Sequence, residues 1–140
     1  MKIVVNRCYG GFGLSNLAVK EYLKLKGKEV FFYEQTGYSF RDGVDTYTRL
    51  DEECESKSSF NHCMTKDLGK TVNYLGNDDY FYYGGIERDD EDLIKVVEKL
   101  GKLADGTHAK LEVVSIPDGI NWEIDDYDGI ESIHECHRSW

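Results

Sequence analysis

No stretch of the chain approaches the ~18 to 20 consecutive apolar residues that a membrane span requires, and no positively charged start leads into an apolar signal segment. A soluble, cytoplasmic protein is the expectation. The four cysteines, Cys8, Cys54, Cys63 and Cys136, form no CxxC pair, which removes the redox motif and the zinc-ribbon spacing, so reduced thiols are expected. Positive charge is scarce as well. A net charge of −10 argues against general nucleic-acid binding, which depends on lysine and arginine neutralising phosphates. Proline occurs once, at Pro117, and no repeat or low-complexity tract appears.

The charge that is present is unevenly spread. Residues 1–50 carry eight Lys/Arg against five Asp/Glu, a net of +3, whereas residues 85–140 carry six against fifteen, a net of −9. A basic first third suits an anionic small ligand, and an acidic last third suits a basic protein surface or simply solubility.

The stretch 4–15, VVNRCYGGFGLS, runs from an apolar strand through three glycines into a helix start. Glycine lets backbone approach another group closely, and Ser15 can cap the first free amides of the helix, so the segment reads as an anion cradle. Gly11 and Gly13 stand where a dinucleotide fingerprint begins, and Glu34, 21 residues beyond Gly13, stands where a ribose-binding acid would be. The fingerprint is partial: Asn16 occupies the third glycine position and no second mononucleotide half follows. A tight β–α turn accounts for the same glycines. The candidate ligand-binding residues are therefore Arg7, Tyr9, Gly10, Gly11, Gly13, Ser15 and Glu34, with Arg7 at the strand end meeting a phosphate and Gly13 held at positive φ.

Residues 2–6 read as a strand covered on both faces, and Leu14, Leu17, Ala18, Tyr22 and Leu25 recur with helical spacing up to Gly27. Lysines 20, 24, 26 and 28 fall late in that helix, where its dipole favours cations. A second strand over 29–35 completes a βαβ unit, whose two strands should be parallel. A strand over 44–50, a polar loop over 51–59, a short helix carrying Leu68, Val72 and Leu75, and an aromatic strand over 79–83 follow. The clearest helix starts at Asp89 or Asp90, with Leu93, Ile94, Val97, Leu100 and Leu103 as its buried stripe and Gly101 inside it. A strand over 110–116, the turn Pro117-Asp118-Gly119 and a strand over 120–124 read as a hairpin. Ile130 and Ile133 suggest a short amphipathic helical turn in the tail, with Glu131 and Glu135 as exposed acids. The expected fold is one α/β domain over 1–140, a mixed sheet that opens with a βαβ unit and ends in an antiparallel hairpin.

His134, Cys136 and His137, with His62 and Cys63, are zinc-ligand types, but their spacing matches no zinc signature, so no metal and no cofactor are expected. Cys8, beside Arg7 and near a helix start, has the residue type of a nucleophile; core packing explains it as well. No acid/base constellation stands out, so the chain is expected to be a binder rather than an enzyme.

NRCYGGFGLS, ERDDEDLIKVVEKLG, AKLEVVSIPDGINWEIDDYDGIE and the ending HECHRSW resemble, over the whole length, a family of small proteins of bacteriophages and prophages. The resemblance implies a phage accessory protein acting in a bacterial cytoplasm, where interference with the host or with antiphage defence is a common role. The expected partner is an anionic, nucleotide-like small molecule that the chain sequesters, or else a host or defence protein bound through the acidic, aromatic C-terminal third. A small nucleotide-acting enzyme is the third option. The tyrosines also suit a homo-oligomer.

Overall fold

The computed structural model describes residues 1–50, 62–76 and 78–136. The polar run 51–59, together with Cys54 and His137, lies outside them. The chain divides into two units, one formed by Met1–Ala18 and Tyr83–Trp140 and the other by Val19–Tyr82.

In the first unit, β1 (Lys2–Asn6) is antiparallel to β7 (Leu111–Ser115), Lys2 facing Ser115 and Asn6 facing Leu111. Ile3, Val4, Val5 and Asn6 are wholly buried, as an apolar run covered on both faces requires. The second helix, α2 (Glu91–Leu100), packs on this pair through Leu93, Val96 and Val97. Asp90 caps it, its Oδ1 accepting from the amides of Asp92 (2.8 Å) and Leu93 (3.1 Å), and Glu91 and Asp92 sit at its positive end. Gly101 is the residue that ends the helix, at φ 56°, rather than a glycine inside it, so Leu103 falls outside the stripe and is 66% exposed. The unit ends in an antiparallel hairpin, β8 (Trp122–Tyr127) with β9 (Ile130–Glu135). Asp128 and Gly129, both at positive φ, form its two-residue turn, which is the geometry that matches strand twist.

The second unit is a five-stranded sheet in the order β5-β3-β2-β4-β6, antiparallel throughout. Its strands are β2 (Phe31–Ser39), β3 (Val44–Arg49), β4 (His62–Met64), β5 (Thr71–Val72) and β6 (Tyr80–Phe81). Phe32, Tyr33, Cys63 and Met64 are buried, and the Tyr33 hydroxyl donates to the Gly69 carbonyl (2.7 Å) and accepts from the Leu68 amide (3.0 Å). The first helix, α1 (Asn16–Leu25), ends in this unit at Gly27, with the Lys28 amide donating to the Leu23 carbonyl and the Gly27 amide to that of Lys24. Those two bonds make a Schellman cap.

Mixed α and β composition and a closing hairpin are thus present, but four details differ from the sequence reading. The order β1-α1-β2 exists, yet β1 and β2 belong to different sheets and every strand pair among the described residues is antiparallel, so no parallel βαβ unit forms. The hairpin joins β8 to β9 across Asp128-Gly129; β7 pairs with β1 instead. The segment of Leu68 and Val72 holds the short strand β5 rather than a helix, and residues 130–135 are strand rather than helical turn. No helix of the described residues is long and apolar enough to cross a membrane.

Candidate functional site

The glycine loop turns out to be rich in internal partners. Gly10 and Gly11 take φ of 115° and 97°, as a glycine loop should, and the Gly10 amide donates to the Asp128 carbonyl (3.3 Å). Gly13 is not in the positive-φ region, which corrects the sequence expectation. Its role is close approach: Gly106 donates its amide to the Gly13 carbonyl at 3.0 Å, and a Cβ at Gly106 would lie 2.8 Å from the Gly13 carbonyl carbon. The Ser15 hydroxyl caps α1 by accepting from the Ala18 amide (3.1 Å) and donates to the Leu103 carbonyl (2.5 Å). Arg7 is anchored on both sides, Nε to Glu112 (3.0 Å) and Nη1 to the Glu131 carbonyl (2.8 Å). Tyr9 is 64% exposed. Glu34 belongs to the other unit, where it faces Thr48 across β2 and β3.

Beside this loop lies a polar cluster that sequence reasoning missed. Glu131, read as an exposed acid, is 4% exposed: its carboxylate accepts two bonds from the Arg88 guanidinium (2.6 and 2.8 Å) and one from the Asn6 amide (2.7 Å). Arg88 also stacks on Phe12, 3.7 Å from the ring centre, and its carbonyl accepts from the Val4 amide (2.8 Å). Arg88 and Glu131 thereby satisfy the edge of β1 that β7 leaves open, which buried backbone donors require. Asn6 completes the cluster, its amide nitrogen donating to the carbonyls of Cys8 and Gly129. This arrangement fixes the loop rather than offering donors to a ligand.

Positive charge gathers elsewhere. A cavity of about 610 Å³ in the second unit is lined by Lys20, Lys24, Lys28, Glu29, Val30, Phe31, Phe32, Arg49 and Leu50, a volume within the ~300 to 1,000 Å³ usual for small-molecule sites. Helical spacing puts Lys20 and Lys24 on one side of α1, and the Schellman turn carries Lys28 to the same cavity. Phe32 is buried and Phe31 half-buried, so an apolar wall stands among the cations. Arg49, at the end of β3, is fixed by Asp67 (2.6 Å) and its amide donates to Lys70. The Gly69 amide and the Arg49 guanidinium hold the Asp67 carboxyl below its ordinary range. Like charges four apart on a helix repel, by ~0.2 to 0.5 kcal/mol per pair, and an anion between them removes that cost.

Metal-ligand types also meet once among the described residues: Glu123, Asp125 and His134 on the β8–β9 hairpin. His62 and Cys63 lie on β4 in the other unit, where Cys63 is buried. Cys8 is tied through its backbone to the Asn6 side chain. No protein-family model, curated protein or solved structure matches the chain.

Proposed function

We propose that the protein binds and sequesters a phosphate-bearing small molecule of nucleotide type, and that the basic cavity of the second unit, rather than the glycine loop, receives it. The observation that carries this reading is the convergence of Lys20, Lys24 and Lys28 on one cavity with the half-buried ring of Phe31, beside Arg49, whose guanidinium is held by Asp67. Cations meet the phosphate by charge-assisted hydrogen bonds, and an aromatic wall accepts a base by stacking. Glu29 is the one carboxylate among these lining residues, so the chemistry offered is binding rather than paired acid/base catalysis. The setting, a phage accessory protein that interferes with its bacterial host or its defences in the cytoplasm, rests on the resemblance of the sequence motifs.

Calorimetric titration with a panel of nucleotides and inorganic phosphate tests the reading. Saturable binding of a nucleotide is expected, weakened about tenfold in the double variant Lys24→Ala/Lys28→Ala, because exposed ion pairs contribute up to ~1 kcal/mol each. The affinity should also fall as salt rises. A panel without a binder, or a double variant that binds as the wild type does, overturns it. A second reading, capture of a basic protein surface, is favoured by the exposure of Tyr127 (75%) beside the exposed Asp125 and Asp126; retention of a host protein that is lost on charge reversal of those two acids would support it.

A further inference from the structure

The face of the hairpin that carries Glu123 and His134 brings three metal-ligand types together, the ligand atoms of Glu123, Asp125 and His134 all lying within 4.8 Å of one another. Glu123 and His134 are directly opposite in the β8–β9 register, so both side chains leave the same side of the hairpin, and Asp125, two residues along β8, shares that side. The imidazole lies between the two acids, with Nε2 2.5 Å from Glu123 Oε1 and Nδ1 2.9 Å from Asp125 Oδ2. A neutral imidazole has one N–H, and ionised carboxylates only accept. With the proton on Nδ1 and given to Asp125, Nε2 presents its lone pair toward a Glu123 oxygen, and a positive centre shared by the two, a metal ion or a second ring proton, makes that contact favourable. The proton on Nδ1 is also the tautomer that a carboxylate fixes in metal sites, where it orients the ring and raises the basicity of the coordinating nitrogen.

We infer that this hairpin face binds one divalent transition-metal ion, with His134 Nε2 and a Glu123 carboxylate oxygen as direct ligands, Asp125 as the positioning residue behind the imidazole, and water in the remaining positions. Imidazole nitrogen with carboxylate oxygen is a donor set for zinc and its neighbours in the first transition row rather than for calcium or magnesium, which prefer all-oxygen shells. The Cys136 thiol, following β9, donates to the Glu123 carboxylate and so helps to hold it. Spacing along the chain concealed the site: Glu123 and His134 are eleven residues apart, and only the register of the hairpin pairs them.

Zinc titration of chelator-treated, full-length protein, followed by calorimetry, tests the inference. One saturable zinc site per chain is expected, abolished in His134→Ala and in Glu123→Gln. Asp125→Asn should weaken binding by ten- to a hundredfold, the usual effect of losing the partner behind a metal-bound histidine. Cys136→Ser should retain the site, as should Cys63→Ser, which removes the thiol on β4. Amide-proton spectra of each variant establish that the hairpin is intact, and zinc-induced shifts in the wild type should centre on residues 123–125 and 132–136. Absence of saturable zinc binding overturns the proposal. So does zinc binding that survives His134→Ala, or an Asp125→Asn variant with wild-type affinity.

Discussion

At the scale of single residues, the structure depends on a few places where one atom too many or one charge too few cannot be absorbed. Gly106→Ala would place a Cβ 2.8 Å from the Gly13 carbonyl carbon, backbone against backbone, whereas a Cβ at Gly13 meets the Tyr83 hydroxyl at an ordinary 3.5 Å. Gly106→Ala should therefore cost about 1 to 3 kcal/mol in chemical denaturation and Gly13→Ala clearly less; equal losses would contradict the assignment. The Arg88–Glu131 pair is a second such place. Its side chains are 20% and 5% exposed, and removing one partner strands the other charge against the edge of β1. Arg88→Met should lose about 3 to 5 kcal/mol, with the double variant Arg88→Met/Glu131→Gln less damaged than the sum of the two single ones, as a double-mutant cycle would show. His62 gives the pH dependence. Burial lowers its pKa below the ordinary ~6.5, so the unfolded chain takes up this proton before the folded one does. The contribution of His62 to stability is therefore full above the unfolded value, declines as pH falls below about 6.5, and levels off beneath the folded value. Urea unfolding across that range should show a shallower decline in His62→Gln than in the wild type, and superimposable curves would refute the cause.

At the scale of elements, local chemistry announced what it alone decides. The acids from Asp89 to Asp92 and the run Leu93, Val97 announced α2 and its N-terminus, and Ser15 and Gly27 bracketed α1 as expected. Pairing was less legible, because it depends on which strands the whole chain brings together. Within residues 110–135 two Asp-Gly turns compete, 118–119 after Pro117 and 128–129 after Tyr127. The second is flanked by Ile124 and Tyr127 on one side and Ile130 and Ile133 on the other, and it makes the hairpin; β7 is claimed by β1, whose buried Ile3, Val4 and Val5 need a partner. Ile130 and Ile133 lie in a strand although their spacing suggests a helical turn, because two isoleucines three apart fit either period when so few residues are sampled. Gly129→Ala tests the turn: it forces a side chain into φ of 90° and sets its Cβ against the Gly11 amide. It should destabilise the protein more than Gly119→Ala, whose added carbon meets nothing within 4 Å, as melting temperatures would record.

At the scale of the whole molecule, local charge runs against net charge. A chain of net charge −10 repels anions on average, yet four cations line one cavity, and a field of that kind acts within about 8 Å at physiological salt. The sequence reading put the anion at the glycine loop because glycines followed by a capped helix are a general anion motif. In the folded chain, Arg7, the Gly10 amide and the Ser15 hydroxyl all have protein partners. Lysines 20, 24 and 28 were visible as late helical cations, but their shared cavity with Phe31 and Arg49 depends on β2 and β3, which no spacing along α1 reveals. Amide chemical-shift mapping during titration with the nucleotide that binds in calorimetry separates the two locations most directly. Shifts are expected at residues 20–32 and 49–50, attenuated in Lys24→Ala/Lys28→Ala; shifts centred on residues 7–15, or a titration that moves neither group, would contradict binding in this cavity.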